Sequence, residues 1–161
     1  MDKKLEKFLK ENKIKFELHE HKKVYTAFNE AETQHLKAKE VAKVILVKTA
    51  LPKNARPSIF GQFALIVIPA QKYVDFGKVK KALKARKVSM GKESDIAKVT
   101  KTKVGLIHPF GNLYELPVLL DNALAKQKIL MASAGSYTES IEIKTIDYIK
   151  LVQPIKGAFF K

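Results

Sequence analysis

Cysteine is absent from the 161 residues. That removes disulfides, thiolate zinc sites and a cysteine nucleophile from consideration, and makes a reducing compartment, the cytoplasm, the expected location. Acidic residues are scarce: 16 Asp and Glu stand against 31 Lys and Arg, a formal charge of +15. The excess is lysine spread along the whole length, so a polyanion is a natural partner, although lysine-rich faces are commonly just solvated. Long apolar runs are missing too. Phe63 to Ala70, the most apolar stretch, is far too short to cross a bilayer, and the opening MDKKLEKFLKENKI is amphipathic with no apolar signal region. Neither export nor a membrane partner is expected. With no repeat, low-complexity tract or linker, a single domain over residues 1–161 is expected, long enough to bury a core without staples.

The pattern of what is present predicts the elements. Leu5, Phe8 and Leu9 recur at helical spacing, predicting a docking helix over residues 2–12. Lys15 to His19 alternates like a half-buried strand, and Thr26 to Ala38, rich in Glu and Ala, reads as a short helix. VAKVILV, Val41 to Val47, has the β-branched density of a buried strand, interrupted by one charge at Lys43. Leu51 to Gly61 carries Pro52, Asn54, Pro57 and Gly61 and predicts a connection into a strand over Phe63 to Pro69. Val74 to Ala85 places Val74, Phe76, Val79, Ala82 and Leu83 on one helical face, with Lys78, Lys80, Lys81 and Lys84 outside. Glu93 to Val99 reads as a brief helix before the loop HPFG, and PVLLD, KILMASAG, SIEIK and YIKLV read as strands. Pro154 to Lys161 is a tail or a packed-down end. The sum is an α+β domain with a mixed, largely antiparallel, barrel-like sheet wrapped by about four helices.

Three segments carry candidate chemistry. Lys43, inside an apolar strand, must point outward or meet an anionic group, because an unpaired buried ammonium costs several kcal/mol. Gly105 permits close backbone approach and Pro109 fixes the chain, so the main-chain N–H groups around Ile107 and His108 can converge on a ligand oxygen, or form an ordinary turn. Ser133, Ala134, Gly135 and Ser136 make a small-residue turn whose hydroxyls and N–H groups could border the same pocket. No base and orienting acid are fixed for a serine nucleophile, so no triad is assigned. His19, His21 and His35 form no recognisable metal set. Tyr25 and Phe28 could stack on an unpaired base or pack in the core.

Read in order, VAKVILVK with Lys43, KVGLIHPFG with Gly105 and Pro109, and MASAGSYTESIEI with Ser133 and Gly135 resemble the YbaK/prolyl-tRNA-synthetase insertion-domain superfamily of trans-editing deacylases. PAQKYVDFGKVKKALKARKVSMG and ELPVLLD extend the resemblance over roughly residues 14–153. It implies a hydrolase that cleaves the ester of misacylated tRNA at its CCA end, with aminoacyl-tRNA as substrate, a synthetase as a possible partner, and no cofactor or metal. Lys43 would anchor the terminal adenosine or its phosphate, and the Gly105–Pro109 loop would offer backbone donors to bound water and the carbonyl oxygen. Ser133, Gly135, Ser136, Tyr25, Ile107 and His108 would surround the substrate, His108 as pocket wall rather than general base. The alternative is a non-catalytic module of the same fold that holds tRNA or a synthetase. Residues 24–38 match poorly and Ser140 stands where some relatives have an acid, so the amino acid edited is left open.

Overall fold

The structure, a computed structural model, describes residues 1–21, 41–50 and 62–161. The helix expected at Thr26 to Ala38 and the connection over Leu51 to Gly61 lie outside those residues. The chain opens with helix α1 (Lys3–Glu11), started by Asp2, whose carboxylate accepts from Lys4 N at 2.8 Å and Leu5 N at 3.2 Å. Such a cap satisfies helix N–H groups that have no partner within the helix. Leu5 and Leu9 are fully buried, so α1 docks as its periodicity predicts.

Among the described residues eight strands follow: β1 (Phe16–Glu20), β2 (Ala42–Ala50), β3 (Phe63–Pro69), β4 (Lys87–Met90), β5 (Val118–Asp121), β6 (Ile129–Ser133), β7 (Glu139–Lys144) and β8 (Ile155–Gly157). They form a three-stranded sheet, ordered β1-β7-β6, and a five-stranded sheet, ordered β4-β2-β3-β5-β8. The smaller sheet is antiparallel throughout. In the larger, β2 runs antiparallel to β3 and β4, while β3–β5 and β5–β8 are parallel. One parallel bridge, Val41 to Met131, joins β2 to β6. The two sheets therefore meet at a seam without closing among the described residues, where the sequence suggested a barrel.

Period-two alternation sorts β2 between two cores. Ala42, Val44 and Leu46 turn inward and pack between the sheets with Leu65, Leu120, Leu130 and Ile141. Ile45 and Val47 turn outward onto Ile66, Ile68, Leu119 and Val79, the last from helix α2 (Phe76–Leu83). The remaining α-helices among the described residues are α3 (Glu93–Thr100), α4 (Asn122–Ala125) and α5 (Thr145–Val152).

Two elements differ from expectation. Lys87–Met90 adds β4 to the edge of β2, a pairing its own residues do not announce. YIKLV is not a strand: it belongs to α5, in which Ile146 is 60% exposed and Tyr148 fully buried. Residues two apart in a strand share a face, and these do not. The strand preference of Ile and Val loses to a helix that places Tyr148 in the inner core. Pro154 to Lys161 is packed down, with β8 beside β5 and Phe159 buried.

Asp121 secures that end. Buried at the close of β5, it accepts from Ala123 N, starting α4, and from Phe159 N, each at 2.8 Å. Asp121→Ala is expected to lower unfolding free energy by about 3 kcal/mol in urea titrations, since each bond to a charged group is worth roughly 1.5–3 kcal/mol. Asp121→Asn, which keeps a single acceptor, should lose about half as much. An unchanged midpoint for Asp121→Ala would refute this role.

Candidate functional site

The seam sets the site. Paired residues of neighbouring strands point the same way, and Val41 and Met131 pack together with Ala70 on the outer side. Two positions further along each strand, Lys43 and Ser133 leave the seam on that side. Lys43 is half-buried, on the face of β2 opposite Ala42, Val44 and Leu46. Its ammonium donates to the Lys72 carbonyl and lies 4.8 Å from the centroid of the Tyr73 ring. These contacts offset part of its lost hydration, and burial still holds its pKa below the ordinary lysine value.

The register extends the row into the smaller sheet. Ser133 stands opposite Ser140 of β7, and Ser140 opposite His19 of β1. Ser140 is fully buried, and its Oγ is 2.8 Å from His21 Nε2, while His21 N donates to Thr138 O at 2.9 Å. His21 and Ser140 were not singled out as site residues. The usable signal was their alternation: His21 follows His19 by two positions, so both lie on the side of Ser140. On the same strands Glu17, His19 and Glu142 gather, with His19 Nε2 3.7 Å from Glu17 and 3.5 Å from Glu142. Burial raises the Glu142 pKa, and the opposed Glu17 carboxylate adds to it.

The small-residue turn reaches the glycine loop. Ser133 Oγ accepts from Gly135 N at 3.1 Å, and Ser136 Oγ is 3.0 Å from Thr138 Oγ1. Gly135 has φ 88°, and a Cβ there would lie 2.8 Å from Asp2 Cβ, so only glycine fits against α1. Tyr137 donates its hydroxyl to Val104 O at 3.1 Å, tying turn to loop. Between them opens a hollow of about 820 Å³ lined by Lys101, Lys103, Leu106, Gly135, Ser136 and Tyr137, among others. That volume lies within the range of about 300–1,000 Å³ usual for small-molecule sites.

The loop has two halves. Val104 and Gly105 are exposed, Gly105 at φ 84°, whereas Ile107, His108, Pro109 and Phe110 are buried. His108 stacks on Tyr114 at 4.5 Å between centroids, its backbone N–H donates to the Tyr114 hydroxyl at 3.2 Å, and its ring Nδ1 accepts from Phe110 N at 3.3 Å. Pro109 O accepts from the buried Tyr148 hydroxyl at 2.7 Å. Ile107 and His108 thus sit in or beside the inner core and do not line the hollow. Leu106 N is spent on Lys103 O. The N–H groups of Gly105 and Ile107 make no hydrogen bond among the described residues. Tyr25 lies outside those residues.

The sequence model of the aminoacyl-tRNA editing domain matches residues 21–151. In three dimensions the chain is similar to the hypothetical protein APE2540, with a TM-score of 0.85 and 18% identity over 99% of this chain and 100% of that one. It is also similar to a protein provisionally described as a trans-editing enzyme for prolyl tRNA synthetase, with a TM-score of 0.79 and 13% identity over 100% and 99% of the two chains. The chain belongs to the aminoacyl-tRNA editing domain family, whose general role is deacylation of aminoacyl-tRNA. Among the described residues, no helix is long and apolar enough to cross a membrane.

His108 supplies a pH test of the loop. Desolvation lowers its pKa from 6.5 to about 4, so the folded chain keeps the imidazole neutral while the unfolded chain protonates it. Stability is then expected to fall between pH 6.5 and about 4, by on the order of 3 kcal/mol. His108→Asn, which offers an oxygen to Phe110 N, should lose less stability over that interval than the parent in urea titrations at pH 7 and pH 4.5. Equal losses would refute the assignment.

Proposed function

We propose that the protein is a trans-editing deacylase: it takes the CCA end of a misacylated tRNA and hydrolyses the ester that joins a wrong amino acid to the terminal ribose. One observation carries this reading. Lys43 and Ser133 emerge on the same side of the bridged strands, and the turn that Ser133 opens is bonded to the Gly105 loop through Tyr137 and Val104. The strand bridge and this hydrogen bond link three segments far apart in sequence, while Lys43 and Ser133 stand outside the residues that line the hollow.

In this reading Lys43 anchors the terminal nucleotide. One of its three donors rests on the Lys72 carbonyl, and the others, without a partner among the described residues, are left for a phosphate. The exposed amide of Gly105, uncommitted among the described residues, takes the carbonyl oxygen as negative charge develops on it. Pro109, held by Tyr148, keeps that loop from yielding. Water adds to the carbonyl carbon, the carbon–oxygen ester bond breaks, and the proton from water passes to the departing ribose oxygen. Ser133, Gly135 and Ser136 frame the amino acid, His108 stiffens the wall, and Tyr25 stacks on the terminal adenine. The protein works in the cytoplasm as one domain without a cofactor, alone or beside a synthetase.

The test is multiple-turnover release of amino acid from a panel of mischarged tRNAs. At least one tRNA should be deacylated, and Lys43→Ala should slow that reaction roughly 10- to 100-fold, the value of one charge-assisted hydrogen bond. Gly105→Val, forced into φ 84°, should also lose release. A panel left untouched, with tRNA bound nonetheless, would assign the chain a holding role.

A further inference from the structure

Beside Lys43 the chain builds a ladder of lysines and aromatic rings that the chemistry above does not use. Val74 bridges Phe160, Asp75 N donates to Phe159 O at 2.8 Å and Lys161 N to Tyr73 O at 2.9 Å, so residues 73–75 and 159–161 form a short antiparallel ribbon. Along it, the Lys43 ammonium lies under the Tyr73 ring, the Lys72 ammonium is 5.3 Å from the Phe160 centroid, and Lys78 Nζ donates to Phe160 O at 2.9 Å. Tyr73 is 74% exposed, the most exposed large hydrophobic residue among those described. With a cation against one side of the ring, its other side is left to solvent. From Gln71 to Arg86 there are six basic residues and one acid, Asp75, whose carboxylate caps α2 through Lys78 N at 3.1 Å.

An exposed ring on a pinned ribbon, with ammonium groups at both ends, fits the unpaired end of an RNA strand. Stacking on an aromatic face is available to any base, and lysines track the backbone without reading sequence. We propose that Tyr73 is a stacking platform for an unpaired base of the tRNA 3′ end, with Lys72 and Lys78 meeting the neighbouring phosphates. The strand then runs from Lys43 across Tyr73 towards Phe160. This inference rests on the deacylase reading only in naming tRNA as the source of the strand. The ribbon orders the platform before RNA arrives, which limits the entropy lost on binding.

Fluorescence anisotropy with a hairpin ending in a single-stranded CCA, and with the same hairpin cut blunt, tests it. The parent protein should bind the CCA hairpin more tightly. Tyr73→Ala should erase that preference, weakening the CCA complex roughly 5- to 150-fold with little effect on the blunt one, and Tyr73→Phe should retain it. Lys72→Gln should reduce the slope of log affinity against log salt by about 0.7–0.9. Equal preference in the parent and in Tyr73→Ala overturns the platform, even if mischarged tRNA is deacylated. A Tyr73-dependent preference without deacylation of any mischarged tRNA upholds the platform and overturns the deacylase reading instead.

Discussion

The burial of Ala42, Val44 and Leu46 between two sheets is the constraint on which the site depends. A strand that commits alternate side chains to one core must present the others to the opposite side. Lys43 is therefore set on the outer face, at the end of β2 where the strand bridges β6. A slip of one residue would drive the ammonium into the inner core and turn Ala42 and Val44 outward. The same apolar packing that stabilises the sheets thus fixes the position of the charge.

The loop from Val104 to Phe110 shows a related division of labour. Its second half is anchored by ring stacking, two bonds to His108 and the Tyr148 hydroxyl, all away from water. Its first half is exposed and carries the positive-φ glycine. A loop anchored at one end and open at the other can hold backbone donors in place without a metal or a charged side chain. Preorganised donors are effective because nothing needs to reorient as charge develops. Tyr137 extends the same rigidity to the serine turn.

Charge enters at longer range. The excess of lysine lowers the energy of any polyanion near the surface, but it does not by itself select a contact. Selection comes from rings and carbonyls that hold particular ammonium groups still, as Tyr73 and the Lys72 carbonyl hold Lys43.

Most strands, α1, α2 and α3 were legible because their signals are local: apolar period, caps and turn residues lie within a few positions of one another. The strand over Phe63–Pro69 matches its expected limits, and Lys43, Gly105 and Gly135 were visible as residues out of keeping with their surroundings. α5 was misread because Ile, Tyr and Val favour strands locally, while its helical form depends on Tyr148 reaching Pro109, 39 positions away. The row from Lys43 through Ser133 and Ser140 to His21 depends likewise on which strands pair and in what register. Sequence by itself determined the periodicities, the charge and the special backbone positions. Tertiary structure alone decided which of these meet, because strand register is set by burial summed over partners that no local stretch of chain contains.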